Sequence, residues 1–343
     1  MASDGNADGK TKCGLGRWAG IAARILISGG ILAYLAHKID WASFGTRVRS
    51  ADPGWLLLAF VLTGITFLLA ALRWKTLLRV QEINISFRRV LQVTLIGQFF
   101  NTFLLGTTGG DVIRVFYMAQ AAPKRKSAAG VSVILDRVLG LIALIAITFG
   151  LTLFQYRFLT ASSESHHALW LFYVIAAGVS GVLLLAVLLP RLLRIANFQA
   201  WEKKVPFHSK IEHLSEAFAR NVRHPVANAE VLLISVGAHF LGFLAQYCIV
   251  VGLHLTIPLW TLAAVTGLIC VLISIPISLG GFGVREGLFI ILLAQAGVSK
   301  DAALAISLLN YGLTTIAWGL VGGLIHLRYR HPLPEGISTE PLL

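Results

Sequence analysis

Two glycine pairs, each followed after a short turn by an arginine and an acid, are the segments of this sequence best suited to chemistry. The first pair, Gly109 and Gly110, ends an apolar stretch and precedes Asp111 and Arg114. Paired glycines permit a tight turn and close approach of the backbone. A helix starting at Asp111 would offer free N–H groups to an anion, with Arg114 one turn on along the same face. The plain alternative is a helix cap with a surface arginine.

The second pair repeats this pattern in the other half of the chain. Gly280 and Gly281 follow an apolar stretch and precede Arg285 and Glu286. Matching interrupted helices in two halves are typical of a transporter site at a repeat interface. We therefore expect two helix N-termini and two arginines to face one anionic group, with Asn101 adding neutral hydrogen bonds. Two unrelated helix breaks remain the alternative.

A third candidate is the charged pair Asp136 and Arg137, which interrupts the apolar stretch 128–154. A charge within a membrane span costs several kcal/mol unless it is paired or hydrated, so it suggests function. In the alternative interpretation both side chains lie near the interface, snorkel and pair with neighbours. Three further polar residues within apolar stretches, His239, Gln246 and Asn310, are expected to hydrogen-bond between helices.

The elements that must position these residues are membrane-spanning helices. Of 343 residues, 56% are hydrophobic and 13% are charged, whereas soluble domains carry roughly 25% charged residues. Apolar runs near twenty residues recur, long enough to cross a ~30 Å hydrocarbon core. The composition predicts an all-α polytopic bundle of about eight transmembrane helices, with re-entrant or interrupted segments and a possible inverted repeat.

The predicted organisation is a polar cytoplasmic N-terminus, 1–17, one membrane domain, 18–327, and a short tail, 328–343. Within the domain, 190–228 is basic and amphipathic and is expected to lie on the cytoplasmic face. The predicted apolar segments are 18–36, 55–72, 90–105, 128–154, 168–189, 230–253, 258–279, 284–296 and 302–326.

The basic residues predict the orientation. If 90–105 crossed the membrane, one of the basic stretches 73–90 and 190–228 would face outside, against the positive-inside rule. A re-entrant 90–105 places both inside, with both termini cytoplasmic. The C-terminus moves outside if 284–296 is re-entrant as well. We expect a multi-pass protein of the cytoplasmic (inner) membrane.

Several functional classes lack support in the sequence. The net charge of +13 is spread over short loops without a zinc-finger or RNA-binding signature, so nucleic acid is not an expected partner. The three cysteines form no CxxC pair, and no metal or other cofactor is expected. Common nucleotide-binding and hydrolase motifs are missing, so we do not expect an enzyme.

Five motifs in order nevertheless resemble a known family. These motifs are Arg73-Trp74, Gly97 through Asn101, Gly109-Gly110-Asp111-x-x-Arg114, Asp136-Arg137-x-x-Gly140, and Ser278 through Glu286. Together they resemble the flippase-like membrane domain of lysylphosphatidylglycerol synthase/flippase proteins over about 18–327. One departure concerns the family's usual proline before the first glycine pair, where Gly106, Thr107 and Thr108 stand.

The resemblance implies a bundle of about eight helices that moves, or helps to move, a phosphate-bearing lipid between leaflets. The two-domain relatives carry an aminoacyl-transferase domain after the membrane part, and no such domain is expected here. The partners would be anionic or phosphate-bearing membrane lipids. Two alternatives stay open: an accessory protein of a lipid-modifying or polyprenyl/hopanoid glycosyl-transfer enzyme complex, and a membrane-embedded transferase with Asp136 or Glu286 as base.

Overall fold

Every element that the computed structural model describes is helical. The described residues are 41–103, 109–195, 220–274 and 278–328, together with Gly30, Tyr34 and His37. Almost all of the predicted span 18–36, most of the basic segment 190–228 and the tail after residue 328 lie outside them. Within the described ranges there is no strand, and the all-α membrane-bundle prediction is confirmed.

The helices follow the predicted apolar segments closely. They are α1 (Trp41–Arg49), α2 (Pro53–Val80), α3 (Phe87–Phe103), α4 (Gly109–Ala121), α5 (Lys126–Phe154), α6 (Tyr156–Leu159), α7 (Ser163–Ile195), α8 (Pro225–Gly252), α9 (Leu259–Leu272), α10 (Val284–Ala294), α11 (Lys300–Asn310) and α12 (Trp318–Arg328), with a π-helix at Tyr311–Ala317 joining the last two. Within the described ranges, four stretches are long and apolar enough to cross a membrane: Pro53–Val80, Pro123–Phe154, Pro225–Gly252 and Lys300–Arg328.

The ends of α2 and α9 depart furthest from the predicted segments, and α7 also extends beyond 168–189 at both ends. Helix α2 runs to Val80 rather than stopping before Arg73, because Trp74, Leu77 and Leu78 continue its apolar face at helical spacing and are fully buried. Helix α9 stops at Leu272 instead of 279. Its 14 residues rise about 21 Å at 1.5 Å per residue, less than the ~30 Å hydrocarbon core.

The chain divides into two compact units. Unit 1 comprises Met1–Thr63, Leu141–Trp201 and His239–Leu313, and unit 2 comprises Gly64–Gly140, Glu202–Ala238 and Thr314–Leu343. The core of unit 1 includes Phe172, Ile249, Leu268 and Phe289. The core of unit 2 centres on Trp74.

Within unit 2, α3 and α4 form a helical hairpin that starts and finishes at one end. The turn after α4 is tied to the turn after α2, since Arg125 donates to the Gln81 carbonyl and pairs with Glu82. Arg220, before α8, pairs with the same Glu82 at 3.4 Å. The two basic stretches that the orientation argument placed together therefore meet at this end. A re-entrant segment needs this geometry, in which the start of α3 and the end of α4 lie at the same end of unit 2.

Helices α2 to α5 recur as a second set with similar lengths. Helices α2 and α8 both have 28 residues, beginning at Pro53 and Pro225. Helices α3 and α9 follow at Phe87 and Leu259, and short helices α4 and α10 come next. Each set ends in a 29-residue helical stretch, Lys126–Phe154 and Lys300–Arg328. The first three starting positions recur at an offset of 172 or 175 residues, so an internal repeat underlies the fold.

The turns after α2 and α8 match in backbone detail. Glu82 and His254 are the two described non-glycine residues with positive φ, at 56° and 57°. In each turn an amide reaches back five residues, from Ile83 to Leu78 at 2.9 Å and from Leu255 to Val250 at 3.1 Å. Left-handed non-glycine residues are uncommon, so their recurrence 172 residues apart supports the repeat independently of helix lengths.

Corresponding helices of the two copies run between the two units in opposite directions along the chain. Helix α2 begins in unit 1 and ends in unit 2, whereas α8 begins in unit 2 and ends in unit 1. Helix α5 and the stretch Lys300–Arg328 show the same exchange in the reverse order. An inverted repeat would produce this pattern.

The crossing of α3 and α12 depends on a glycine. A Cβ on Gly322 would lie 1.9 Å from the Leu95 carbonyl oxygen, so any side chain there forces the two helices apart. Gly130, on α5 of the same unit, has nothing within 4 Å of an added Cβ.

We therefore expect Gly322→Ala to destabilise the purified protein by about 1–3 kcal/mol through overpacking. Gly130→Ala should leave stability unchanged or raise it, because alanine favours a helix over glycine. Thermal unfolding in detergent measures both. Equal midpoints for the two variants would contradict the close crossing.

Candidate functional site

Three arginines and two aspartates of unit 2 form one continuous chain of ion pairs. Asp136 accepts from Arg73 Nε at 2.7 Å on one oxygen and from Arg114 Nη2 at 2.8 Å on the other. Arg114 Nη1 lies 3.5 Å from Asp111, and Asp111 is held by Arg137 through contacts of 2.9–3.1 Å. The fold of unit 2 therefore brings together side chains from α2, α4 and α5.

Burial divides this chain into two parts. Asp136, Arg114 and Arg73 have side-chain exposures of 3%, 7% and 13%, and we call them the inner triad. Asp111 and Arg137, at 19% and 53%, form the outer pair. Asp136 is buried rather than snorkelling and Arg137 is exposed, and both pair with neighbouring charges as the alternative interpretation expected.

Packing fixes the position of Arg114. Its guanidinium carbon lies 4.0 Å from the centroid of the Trp74 ring, an attractive cation–π arrangement. The Trp74 Nε1–H donates to Ser132 at 3.1 Å, which sets the orientation of the ring. On the other side, a Cβ on Gly97 would lie 3.0 Å from Arg114 Cγ. Gly97 therefore leaves room for the arginine stem.

Arg73 is positioned by α5 and α8. Its Nη1 donates to Ser235 at 3.2 Å. A Cβ on Gly140 would lie 2.8 Å from the same nitrogen, so a larger residue there would displace the guanidinium. Gly140 stands one turn after Asp136, which lets Arg73 lie flat along α5.

The first glycine pair begins α4 at Gly109, two residues before the predicted start at Asp111. A Cβ on Gly110 would lie 2.0 Å from the Gly97 carbonyl oxygen, so close backbone approach explains this glycine. The Gly110 amide donates to Asn101 Oδ1 at 2.8 Å. Asn101 thus uses its acceptor to cap α4, although the sequence suggested it as a neutral ligand group. Residues 104–108, which join α3 to α4, lie outside the described ranges.

Among the described residues of unit 2, the inner triad carries a positive charge that no further carboxylate compensates. It contains two guanidinium groups and one carboxylate, while the outer pair is neutral by itself. Residues 104–108 include no charged type, and Glu230 of unit 2 is exposed and bonded to Thr76 at 3.2 Å. Buried Arg114 Nε has no acceptor among the described residues. An anion would satisfy both the charge and the free donor.

The second glycine motif, in unit 1, forms a closed pair instead. Glu286, fully buried, accepts from the Gly283 amide at 2.7 Å and from Arg285 Nε at 3.0 Å. Ser307 accepts from Arg285 at 3.1 Å and donates to Glu286 at 3.2 Å. The Tyr311 ring covers the guanidinium, with its centroid 4.3 Å away. The charge of Arg285 is therefore neutralised inside the motif.

Backbone conformation explains the glycines of this second motif. Gly280, Gly281 and Gly283 have φ values of 61°, 81° and 82°, where other residues are strained. The turn presents Gly283 as the residue before α10, whose first-turn Glu286 returns to bond its amide. Gly280 and Gly281 thus shape the turn.

The two motifs occupy equivalent places in the repeat. Each arginine comes four residues after its glycine pair, and a hydrogen-bond partner follows 22 residues later, Asp136 for Arg114 and Ser307 for Arg285. At the 172-residue offset, Ala245 stands where Arg73 stands in the first copy. Only the unit 2 copy therefore holds a second arginine and a carboxylate at these positions.

Gln246 takes the place that Trp74 has in the first copy. It is 1% exposed, yet neither polar atom of its side chain has a partner among the described residues. The expectation that it hydrogen-bonds between helices is therefore not met. With Trp74 and Arg73 both replaced, the second copy has lost the packing that surrounds Arg114 in the first.

A large apolar groove lies elsewhere in unit 1, between α5 and α7. Its volume is about 1050 Å³, and Ile145, Phe149, Tyr173 and Ala176 are among its lining residues. The hydroxyl of Tyr173 is bonded to Thr152 at 3.3 Å. None of the described lining residues is charged, so they offer nothing to a charged headgroup.

A metal centre finds no support in the described part of the chain. No three histidine, cysteine, aspartate or glutamate side chains come together there as ligands. Cys248 and Cys270 are free thiols.

Comparison with known proteins gives the family. The family model described as the lysylphosphatidylglycerol synthase TM region matches residues 21–322. The chain belongs to this family. The matched range contains both glycine motifs and the whole ion-pair chain. Membership of this family makes the chain a multi-pass membrane protein.

Relatives of similar length occur in archaea. A UPF0104 membrane protein from Pyrococcus horikoshii is 25% identical over 319 residues, covering 84% of this chain and 92% of the relative. Another, from Methanothermobacter thermautotrophicus, is 24% identical over 327 residues, covering 87% and 93%. The flippase-like resemblance predicted from the motifs is thereby confirmed at the level of the family.

Sequence reasoning missed Arg73 and Ser235 as site residues. Arg73 was placed in a loop after the second span, although the apolar spacing of Trp74, Leu77 and Leu78 signals that the helix continues. No local signal marks Ser235, because its role depends on α8 packing beside α2. The prediction that both arginines face one anion stays a prediction, since the two motifs belong to different units.

Asp136 provides a direct test of the inner triad. We expect Asp136→Asn to destabilise the protein by about 3–5 kcal/mol, because two buried guanidiniums lose their only carboxylate within the triad. Asp111→Asn should cost about 1 kcal/mol or less, since its closest partner Arg137 is half exposed and Arg114 lies 3.5 Å away. Chemical unfolding in detergent measures the difference, and equal losses would contradict the division into triad and pair.

Proposed function

We propose that this protein translocates, or assists in translocating, a phosphate-bearing lipid between the leaflets of the membrane. The observation that carries the proposal is the uncompensated charge of the inner triad within apolar helices. Moving a phosphate through hydrocarbon without compensation costs many kcal/mol. A buried, fixed cation lowers that cost and accepts the headgroup by charge-assisted hydrogen bonds.

The residues would divide the work as follows. Arg114 and Arg73 would hold the phosphate, with Asp136 keeping both guanidiniums in place. Asp111 and Arg137, at the more exposed side, would guide the headgroup toward the inner triad. The glycine pair at 109–110 would let α4 approach α3 closely enough to bring Arg114 beside Trp74.

The motif in unit 1 takes a different part in the proposal. Because Glu286 and Ser307 already satisfy Arg285, this arginine would bind a phosphate only after its own ion pair opened. We therefore assign the resting headgroup site to unit 2. Arg285 and Glu286 would hold the turn at 280–281 in shape and become available to a headgroup during the transport cycle.

The orientation follows from the basic end of unit 2. The residues Arg79, Arg88, Arg89, Lys124, Arg125, Lys126, Arg220 and Arg223 lie at the helix ends and turns that the contacts of Glu82 and Gln81 bring together. By the positive-inside rule this end faces the cytoplasm. We propose a cytoplasmic-membrane location, a cytoplasmic N-terminus and headgroup entry from the inner leaflet.

The same basic end favours one alternative. An accessory protein of a lipid-modifying or glycosyl-transfer complex could use it to dock an acidic enzyme partner. Stable co-purification with such an enzyme, and no lipid translocation by the isolated protein, would favour this alternative. The described residues include no nucleophile–base pair in support of the transferase alternative, and we propose a non-enzymatic role without cofactors.

The decisive experiment measures translocation of a labelled anionic phospholipid in reconstituted vesicles. We expect Arg114→Gln to slow translocation at least about tenfold, since a hydrogen bond to a charged group contributes about 1.5–3 kcal/mol. The matched control is Arg79→Gln, which removes the same charge from an exposed position of unit 2 and should leave the rate unchanged.

Folding defects are separated by a second variant. Arg114→Lys keeps the charge but loses the forked geometry, so a folded protein should retain part of the activity. Wild-type rates in both Arg114 variants, or an equal loss in the Arg79 control, would refute the assignment of the phosphate to unit 2.

A further inference from the structure

The magnitude of the buried charge bears on which phosphate the site accepts. The inner triad has a net charge of +1, from Arg73 and Arg114 against Asp136. Adding the outer pair does not change this value, because Asp111 and Arg137 cancel. The net charge is therefore +1 whether the inner triad is counted alone or together with the outer pair.

The other acidic residues of the described part of unit 2, Glu82 and Glu230, do not alter this count, and Glu82 pairs with Arg125 and Arg220. Residues 104–108 include no charged type, and Glu230 is exposed and bonded to Thr76. In the equivalent motif of unit 1, Arg285 and Glu286 cancel within the motif. Thus the repeat has one neutral copy and one copy with a single positive charge.

Phosphate groups of lipids differ in charge by their chemistry. A phosphodiester carries one negative charge, whereas a phosphomonoester carries about −1.5 to −2 at pH 7 because its second pKa is near 6. A diester would bring the inner triad to neutrality. A monoester would leave excess negative charge among side chains that are at most 13% exposed, which a low-dielectric site penalises.

We propose that the inner triad selects lipids whose phosphate is a phosphodiester over phosphomonoester and diphosphate lipids. This inference rests on the proposed function and specifies the substrate class of the same site. Arg73 is essential to the selection, because without it Arg114 and Asp136 cancel as Arg285 and Glu286 do. Asp111 tunes it, because it neutralises Arg137 beside the triad.

The experiment compares two lipids with identical acyl chains. Full-length protein is equilibrated at pH 8 in detergent with equimolar phosphatidylglycerol, a diester, and phosphatidic acid, a monoester, and retained lipid is measured by mass spectrometry. Wild type should retain several-fold more diester than monoester. Arg73→Gln should lose most of the retained diester.

A variant with one more positive charge then tests whether the net charge of the ion-pair chain determines the selection. Asp111→Asn raises the net charge of the ion-pair chain to +2 and should shift retention several-fold toward the monoester. The matched control Glu82→Gln removes one negative charge from an exposed position of the same unit and should retain the wild-type ratio. Thermal unfolding midpoints confirm that each variant is folded before its lipids are compared.

The outcomes separate this inference from the proposed function. Retention of both anionic lipids in equal amounts by wild type, or an unchanged ratio in Asp111→Asn, overturns the diester selection but leaves lipid translocation standing. No retained anionic lipid in wild type, with the same content in Arg73→Gln, overturns the proposed headgroup site as well.

Discussion

The burial of two guanidinium groups on one carboxylate is the constraint around which unit 2 is arranged. Charges among apolar helices are tolerated only when partners are close and well oriented. Trp74, Ser132 and Ser235 supply that orientation, while Gly97 and Gly140 leave the space that the guanidinium groups occupy. Glycines that look like helix breakers in the sequence thus serve the ion pairs. Because one carboxylate cannot balance two arginines, the triad keeps a net positive charge, and the proposed headgroup site rests on that charge.

The internal repeat shows how one fold can hold two unlike motifs. Both copies keep a glycine pair, an arginine four residues later and a hydrogen-bond partner 22 residues after that. In the second copy, whose motif lies in unit 1, the carboxylate stands next to the arginine as Glu286, and Ser307 takes the place of Asp136. A neighbouring acid closes the pair and caps the turn at Gly283. Equivalent backbone segments therefore carry the neutral Arg285–Glu286 pair in unit 1 and the positively charged inner triad in unit 2.

Much of the fold was predictable because hydrocarbon imposes strict rules on a sequence. Apolar length predicted the long helices, and glycine pairs located both interruptions. The positive-inside rule predicted a re-entrant segment at 90–105, and the contact of Glu82 with Arg125 places the start of α3 near the end of α4. The ends of α2 and α9 were misplaced, because a charged Arg73 resembled a loop residue and because apolar residues continue past the point where α9 stops. Both errors arose where tertiary packing, not composition, decides whether a helix continues.

The sequence by itself determined the membrane environment, the helical class, the family and the identity of most charged residues in the candidate site. These properties depend on residue type and spacing along one chain, because hydrocarbon accepts only apolar helices of sufficient length. Only the tertiary structure decided which charges meet. It joined Arg73 of α2 to Asp136 of α5, used Asn101 as a cap and closed Arg285 onto Glu286. Pairing depends on how distant helices pack side by side, and no local pattern encodes those distances.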